Sequence, residues 1–193
     1  MTTSSLTIGR QTLAALRIFL VLTVLVGVLY PAAVWGVGRV AFHDQATGSQ
    51  VSVDGKVVGS SLLGQQWKGA QWFHGRDSAS EYAGDVSGGS NLPATDKRQQ
   101  DAVAAREKAL APLGGNPPPD ALTMSASGLD PHISPAYARL QAPAVAKARG
   151  LQLAQVQRLI DDATKGRVAG FLGDERVNVL QLNLALQQLS GTK

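Results

Sequence analysis

The glycine-rich string Val86-Ser87-Gly88-Gly89-Ser90-Asn91 contains the residues of this sequence that are best suited to bind an anion. Consecutive glycines expose backbone N–H groups, and successive N–H groups can form a nest for a phosphate or a carboxylate. The string is therefore a candidate anion-binding loop. A glycine-rich turn with a purely structural role is the alternative interpretation.

The same string is similar to the LSGGQ signature of ABC-type ATPases, with Val86 in place of Leu and Ser90 in place of Gln. This similarity makes Ser87, Gly88, Gly89 and Ser90 a candidate nucleotide loop. The sequence contains no Walker P-loop, G-x-x-x-x-G-K-[ST], the motif that cradles the phosphates in P-loop ATPases. By that machinery the chain cannot hydrolyse ATP alone.

Other patterns that would indicate catalysis or metal binding are missing from the sequence. It has three histidines, no cysteine, no HExxH motif and no G-x-S-x-G motif to support a hydrolase triad with Asp130 and His132. We therefore predict no catalytic residue, no metal ligand and no firmly bound cofactor. Around His132, Ser134 is expected to cap a helix that begins with Pro135, and a binding role at an interface is the alternative.

An uncharged apolar run at residues 18–38, bracketed by Arg17 and Arg39, decides in which compartment these loops lie. As a helix the run is about 30 Å long, which matches the hydrocarbon core of a bilayer. A cleaved signal peptide is the competing interpretation, but no small-x-small cleavage site follows Tyr30. We predict an N-terminal segment at residues 1–17, a transmembrane helix at 18–38 and an outer domain at 43–193.

The charges around the run predict its orientation and exclude one class of partner. Arg10 and Arg17 precede it and no acidic residue occurs before Asp44, which favours a cytoplasmic N-terminus and an extracytoplasmic outer domain. Of the net charge of +4, residues 1–43 supply three units, so the outer domain is nearly neutral. The basic balance is therefore no argument for nucleic acid.

Small residues within the run predict that the helix packs on a partner inside the membrane. Thr23 and Gly27 lie four residues apart, as do Ala32 and Gly36. Such spacing lets two helix backbones approach closely. Pro31 removes a backbone donor and is expected to kink the helix.

Periodicity in the remaining chain predicts a helix-rich α+β domain with a small β-sheet. Residues 176–189 fit either a strand or a helix, and we favour a helix, with Asp174 and Glu175 suited to its N-terminus. The other predicted elements are a β-hairpin around Asp54-Gly55, strands at 121–124 and 168–172, and helices at 95–113, 135–150 and 153–164.

A series of longer strings resembles the C-subunit family of Kdp potassium-transporting P-type ATPases. The resemblance covers nearly the whole chain past residue 13, in order, and its most specific part is the string at residues 127–135. The strings are Leu29-Tyr30-Pro31, Trp72-Phe73-His74-Gly75-Arg76, Ser87-Gly88-Gly89-Ser90-Asn91-Leu92, Ser127-Gly128-Leu129-Asp130-Pro131-His132-Ile133-Ser134-Pro135 and Arg176-Val177-Asn178-Val179-Leu180.

The resemblance implies a non-catalytic accessory subunit in the inner membrane of a bacterial cell. Its partners would be a channel-like subunit that binds potassium and a P-type subunit that hydrolyses ATP, and it would be needed for their assembly and activity. It also implies a catalytic chaperone that raises the ATP affinity of the P-type subunit, with Ser87, Gly88 and Gly89 proposed to contact nucleotide.

Direct nucleotide binding through residues 87–90 is therefore the alternative to a structural and regulatory role. Ser90 stands where the signature has glutamine, and the predicted topology separates this loop from cytoplasmic ATP. We expect the outer domain to dock on the extracellular face of the channel-like subunit. Any effect on ATP use would then reach the P-type subunit through the complex.

Overall fold

The N-terminal part of the chain is one long apolar helix with an interruption. The computed structural model describes residues 3–191, with side chains from residue 7 onward. Helix α1 (Thr3–Val24) continues through a π-helical turn (Leu25–Leu29) into α2 (Tyr30–Ala41). The stretch Thr7–Ala41 is 35 residues long and, by length and composition, can cross a membrane. Since it extends past residues 18–38 at both ends, the predicted boundaries of the span stay predictions.

The π-helical turn lies where Pro31 disturbs the helix. Proline has no N–H to donate, and its ring collides with the carbonyl four residues earlier, here that of Gly27. In the structure the Tyr30 N–H donates to the carbonyl of Leu25, five residues back. Such wider turns occur where the α-helical ladder is disturbed. The helix is therefore interrupted before Pro31 by a π-helical turn, and the predicted kink stays a prediction.

The chain divides into two compact units between Ser49 and Gln50. A short helix, α3 (His43–Ala46), ends the first unit, and a hairpin of β1 (Gln50–Val53) and β2 (Lys56–Ser60) begins the second. Asp54 and Gly55, with φ of 50° and 75°, form the turn of this hairpin. Both residues have positive φ, as a two-residue hairpin turn requires. The predicted hairpin is confirmed.

The three predicted helices are present, each with a recognisable beginning. The Asp96 carboxylate caps the first by accepting from the Arg98 N–H at 2.8 Å, and the Ser134 hydroxyl caps the second by accepting from the Tyr137 N–H at 3.0 Å. The third begins with a capping box between Gln152 and Gln155. The helices are α4 (Lys97–Leu110, followed by a 3-10 turn at Ala111–Leu113), α6 (Pro135–Arg149) and α7 (Leu153–Ala163).

Two predicted strands are wrong. Residues 121–124 overlap a helical turn, α5 (Pro119–Leu122). Pro119 favours this turn, because a proline at the first position of a helix lacks only a donor that the helix does not use there. Residues 168–172 fold back on themselves as a tight turn in which Val168 pairs with Leu172. Ala169 and Gly170 have positive φ, which no extended strand contains.

The C-terminal segment contains both structures that its pattern allowed. Strand β5 (Arg176–Asn178) lies between β3 (His132–Ile133) and β4 (Thr164–Lys165) in an antiparallel sheet. Helix α8 (Val179–Gly191) follows at once, so the predicted helix is present except for its first three residues. Asp174 and Glu175 precede the strand, and the helix is capped by Asn178, whose Oδ1 accepts from the Gln181 N–H at 3.1 Å.

The core of the second unit lies among α6, α7, α8 and β5, and the predicted α+β class is confirmed. Its side chains are mostly aliphatic, with two buried aromatic residues, Tyr137 on α6 and Phe73, which enters from the long loop before α4 with no exposed surface. The best-buried members are Phe73, Ala138, Ala142, Val145, Val156, Ile160, Val177, Leu182 and Leu186.

Candidate functional site

Two side-chain amides hold the segment that leads from Phe73 into the glycine-rich loops. Asn183 on α8 accepts from the Phe73 N–H and donates to the Phe73 carbonyl, both at 2.9 Å. Gln141 on α6 does the same to His74, at 2.8 and 3.1 Å. Each amide copies the pairing of a neighbouring strand and satisfies backbone groups that are buried at Phe73 and partly buried at His74. This fixes the path of the chain up to Arg76.

Arg76 joins that segment to the loop before α6. One guanidinium nitrogen lies 3.3 Å from the Asp130 carboxylate, and another donates to the carbonyl of Met124 at 2.9 Å and to the hydroxyl of Thr123 at 3.2 Å. Burial opposes ionisation of Asp130, but hydrogen bonds from His132 and the charge of Arg76 outweigh it and lower the pKa of Asp130 below its usual value. The ion pair therefore stays charged at neutral pH.

Tyr82 packs beneath this ion pair. Its hydroxyl donates to the carbonyl of Arg76. Burial, and then the charges of Asp77 and Asp130, raise the pKa of Tyr82 to about 12, so the hydroxyl remains a donor. Gly64 allows the approach of the ring, because a Cβ there would lie 2.5 Å from a Tyr82 ring carbon and 2.6 Å from the Asp130 carbonyl.

The predicted anion-binding loop is in contact with protein. The Gly88 N–H donates to the carbonyl of Ser127 at 2.8 Å, and the Ser87 hydroxyl donates to the same carbonyl at 3.1 Å. A Cβ on Gly89 would lie 2.9 Å from the carbonyl oxygen of Ala126. We call this pair of loops, residues 87–89 and 125–128, the clasp. Neither Gly88 nor Gly89 has the positive φ that alternates in an anion nest.

A third segment holds the clasp from the other side. The Ser78 hydroxyl donates to the carbonyl of Gly128 at 2.6 Å and accepts from the Tyr82 N–H at 3.0 Å. Gly128 itself has a φ of 71° and is crowded, since a Cβ would lie 2.7 Å from both the Gly88 carbonyl oxygen and the Ser80 hydroxyl. The two motifs that the sequence analysis singled out, around Gly88 and around Gly128, are thus in direct contact.

Two clefts flank Arg76, and neither of them is lined by residues 87–90. The first, of about 420 Å³, is lined by residues that include His74, Arg76, Asp77, Tyr82 and Tyr137. The second, of about 550 Å³, lies beside Asp130, His132 and the residues that precede β5. Part of the polar lining is bonded within the protein, as the Arg76 contacts illustrate, but the buried Nε of Arg76 and Nε1 of Trp67, which also lines the first cleft, have no hydrogen-bond partner among the described residues.

The loop before α6 has the structural role that was predicted for it. Ser134 caps the helix, and Asp120 accepts from both the N–H and the hydroxyl of Ser134, at 2.7 and 2.9 Å. The Nδ1 of His132 lies 3.7 Å from Asp130. In the part of the chain that the structure describes, no three His, Cys, Asp or Glu side chains converge on a point that could hold a metal ion.

The π-helical turn changes the arrangement of the small residues in the apolar helix. In a continuous α-helix, positions 23 and 32 differ by about 180°, so the two predicted pairs would lie on opposite sides. One extra residue in the π-helical turn offsets the later part by about 100°. Thr23, Gly27, Ala32 and Gly36 then share one sector of about 120°. The sequence analysis did not predict that the four residues share one side of the helix, although Pro31 indicates the interruption that aligns them.

The comparisons with known proteins agree with the strings quoted above. A family model described as "K+-transporting ATPase, c chain" matches residues 12–188. The chain belongs to the KdpC family. It is 49% identical over 187 residues to the KdpC subunits of Mycobacterium bovis (strain BCG) and Mycobacterium tuberculosis (strain H37Rv), covering 93% of this chain and 99% of each relative. The subunit of Paraburkholderia phytofirmans is 50% identical over 179 residues, 89% of this chain and 93% of the relative.

As a member of the KdpC family, the chain is a subunit of the potassium-transporting ATPase complex. The long apolar helix fits a membrane protein that crosses the bilayer once. The resemblance stated from the sequence is thereby confirmed. The roles of residues 87–90 and of the small residues in the helix stay predictions. Sequence reasoning missed the roles of the Gln141 and Asn183 amides. The only signal in the sequence was that each is a polar residue among apolar positions of a helix.

Proposed function

We propose that this KdpC-family chain is the accessory subunit of a bacterial potassium-uptake ATPase, needed for assembly of the complex and for activity of its ATP-hydrolysing subunit. The N-terminus lies in the cytoplasm, α1 and α2 cross the inner membrane, and the second unit is extracytoplasmic. The positive charges of Arg10 and Arg17 ahead of the apolar run support this orientation. A reporter enzyme fused after Lys193 tests it, because activity only in the cytoplasm would refute the orientation.

In this proposal the chain contacts two kinds of partner. The sector that holds Thr23, Gly27, Ala32 and Gly36 packs against a membrane helix of the complex, and the outer domain docks on the channel-like subunit that binds potassium. Small residues support the first contact because they let helix backbones approach closely. An effect on the ATP affinity of the P-type subunit then passes through the complex as a coupling free energy between distant sites.

One observation carries the proposal that the chain acts without binding nucleotide itself: the clasp already bonds the Ser87 hydroxyl and the Gly88 N–H, two donors that an ATP phosphate at this loop would need. The Gly88 N–H donates to the Ser127 carbonyl, and Gly89 lies against Ala126. A phosphate at this loop would have to displace the Ser127 carbonyl. The alternative, a nucleotide-binding loop at Ser87, Gly88, Gly89 and Ser90, requires that the clasp opens.

Photo-crosslinking of an azido-ATP analogue to the assembled complex separates the two roles. Gly88→Ala is a clean variant, because a Cβ at this position meets nothing within 4 Å and the clasp is expected to form normally. Ser87→Ala removes one hydroxyl bond. We expect labelling of the ATP-hydrolysing subunit, no saturable labelling of this chain, and no change with either variant. Saturable labelling of this chain that both variants abolish would establish the nucleotide-binding alternative.

A further inference from the structure

The turn at residues 168–172 presents large apolar side chains to solvent. Phe171 is 76% exposed, Leu172 60% and Val168 54%. Most exposed apolar residues on a protein surface are scattered, whereas these three lie within five positions of one turn. The second unit therefore displays a concentrated apolar protrusion, which we call the knob.

The backbone holds the knob in one conformation. The N–H of Val168 donates to the carbonyl of Leu172 and the N–H of Leu172 donates back, each at 2.9 Å. Ala169 has a φ of 52°, a conformation that costs free energy for a residue with a Cβ. Below the turn, β4 pairs with β5, and Val177 of that pair is completely buried. An exposed aromatic residue on a braced turn can bind with little loss of conformational entropy.

Charges of both signs surround the knob. Arg167 and Asp174, which flank it, lie 3.8 Å apart and are 54% and 95% exposed as side chains. Lys165 precedes them and Glu175 follows, and both are exposed. An apolar centre with a polar rim of mixed charge is the anatomy of a protein–protein interface. A membrane-binding loop is instead typically enriched in Lys and Arg, which attract anionic lipid headgroups.

We propose that the knob inserts Phe171 into an apolar recess on the outer surface of the channel-like subunit of the potassium-transporting ATPase complex. The inference rests on the proposed function, because it assumes that the outer domain docks on a partner, and it names the surface that docks. Gln50 begins the domain only nine positions after Ala41 ends the apolar helix, so the domain meets the complex as a tethered partner. Tethering raises the effective concentration of the knob near the other subunits.

The first experiment measures retention of the full-length chain in the complex, purified through a tag on the channel-like subunit. Phe171→Ser is expected to lower retention after dilution by about tenfold or more, as for a central aromatic residue of an interface. Phe171→Leu is expected to restore most of it. Val57→Ser is the matched control, since Val57 is 58% exposed on the hairpin and lies outside the knob. Equal retention of Phe171→Ser and Val57→Ser would overturn the proposal.

A photo-reactive phenylalanine analogue at position 171 identifies what covers the knob. We expect an adduct with the channel-like subunit, and an adduct with a different subunit alone would overturn the proposal. An adduct with lipid alone, or no adduct in a complex that retains the chain, would overturn the proposal and leave the proposed function intact. If the wild-type chain fails to co-purify with the other subunits, the proposed function fails first and the knob has no partner of this kind.

Discussion

The clasp and the knob are both tight glycine-containing structures on the same domain, but the clasp bonds its polar groups within the protein, whereas the knob exposes apolar side chains to solvent. In the clasp, backbone groups of Gly88 and Gly128 meet a second loop at van der Waals or hydrogen-bond distance, so its polar groups are used inside the protein. In the knob, the backbone bonds only within the turn, and the side chains face solvent. A loop whose donors are already bonded is poorly suited to bind a ligand, whereas an apolar protrusion that covers nothing is available to a partner.

The glycines of the two regions show the same difference. Gly128 in the clasp has both a positive φ and no room for a Cβ, whereas Gly170 in the knob has a positive φ of 83° and open space around it. Glycine is required in the first case by conformation and by packing together. In the second case conformation alone favours it. Substitutions with alanine can therefore test whether the two regions differ as described.

The largest expected effect is that of Gly128→Ala. The added Cβ must enter a buried site 2.7 Å from the Gly88 carbonyl oxygen, and the residue must keep a φ of 71°. Left-handed strain and overpacking together are expected to lower the free energy of unfolding by about 3 kcal/mol. The measurement is thermal or denaturant unfolding of the full-length chain in detergent, followed by circular dichroism.

Gly170→Ala is the matched control for that variant, since it imposes the same left-handed strain without a clash. We expect a loss of about 1 kcal/mol. Equal losses for the two variants would mean that the clasp is no more tightly packed than the knob, and the comparison would not hold.

The second prediction lies within the clasp and separates two adjacent glycines. A Cβ on Gly89 would lie 2.9 Å from the Ala126 carbonyl oxygen, whereas a Cβ on Gly88 meets nothing within 4 Å. Gly89→Ala is expected to cost about 2 kcal/mol through overpacking, and Gly88→Ala to remain within about 0.5 kcal/mol of the wild type. Unfolding of the two variants under identical conditions measures this difference. Normal stability of Gly89→Ala would mean that Gly89 is not packed against Ala126, and the description of the clasp would be wrong.

Much of the fold was predictable because local signals agreed with packing. The hairpin followed from Asp54-Gly55, and α6 followed from Ser134 and Pro135, each through a turn or cap whose chemistry acts within four residues. Residues 168–172 were wrongly predicted as a strand, because an apolar run bounded by glycine indicates a buried strand or an exposed turn equally well. Only the positive φ angles of Ala169 and Gly170 in the folded chain distinguish the turn from a strand.

The candidate site was less predictable, for a physical reason. The contact between Ser87 and Ser127 joins residues forty positions apart, and the amide of Asn183 reaches Phe73 across 110 positions. No periodicity or local propensity encodes such long-range contacts. A glycine-rich string therefore indicated flexibility and exposed donors, when its glycines in fact allow two loops to touch.

The third prediction concerns alkaline pH. Burial and nearby carboxylates raise the pKa of Tyr82 to about 12, above the value near 10 of an unfolded chain. The folded state therefore keeps the proton longer, and the stabilisation present below pH 10 is lost as the pH rises from about 10 to about 12. We expect the unfolding temperature of the full-length chain to fall across this range. Tyr82→Phe should reduce the slope of that fall, and part of it should persist because burial also raises the pKa of Tyr137 to about 12.

A variant in the knob is the control for this pH dependence. Phe171→Ser should leave the alkaline slope unchanged, because neither of the tyrosines with a raised pKa lies in the knob. A slope that Phe171→Ser alters as much as Tyr82→Phe does would indicate that the two regions unfold together through a shared contact.

The smallest expected effect is that of Phe171→Ser on the stability of the isolated chain. Since Phe171 is 76% exposed, its replacement removes little buried apolar surface, and the free energy of unfolding should change by less than about 0.5 kcal/mol. Val177→Ser, in the completely buried position of β5 below the turn, should cost about 3 kcal/mol. Unfolding of both variants in detergent makes the measurement. A loss from Phe171→Ser that approaches the loss from Val177→Ser would show that the knob stabilises its own domain, and its exposed side chains would then need no partner to explain them.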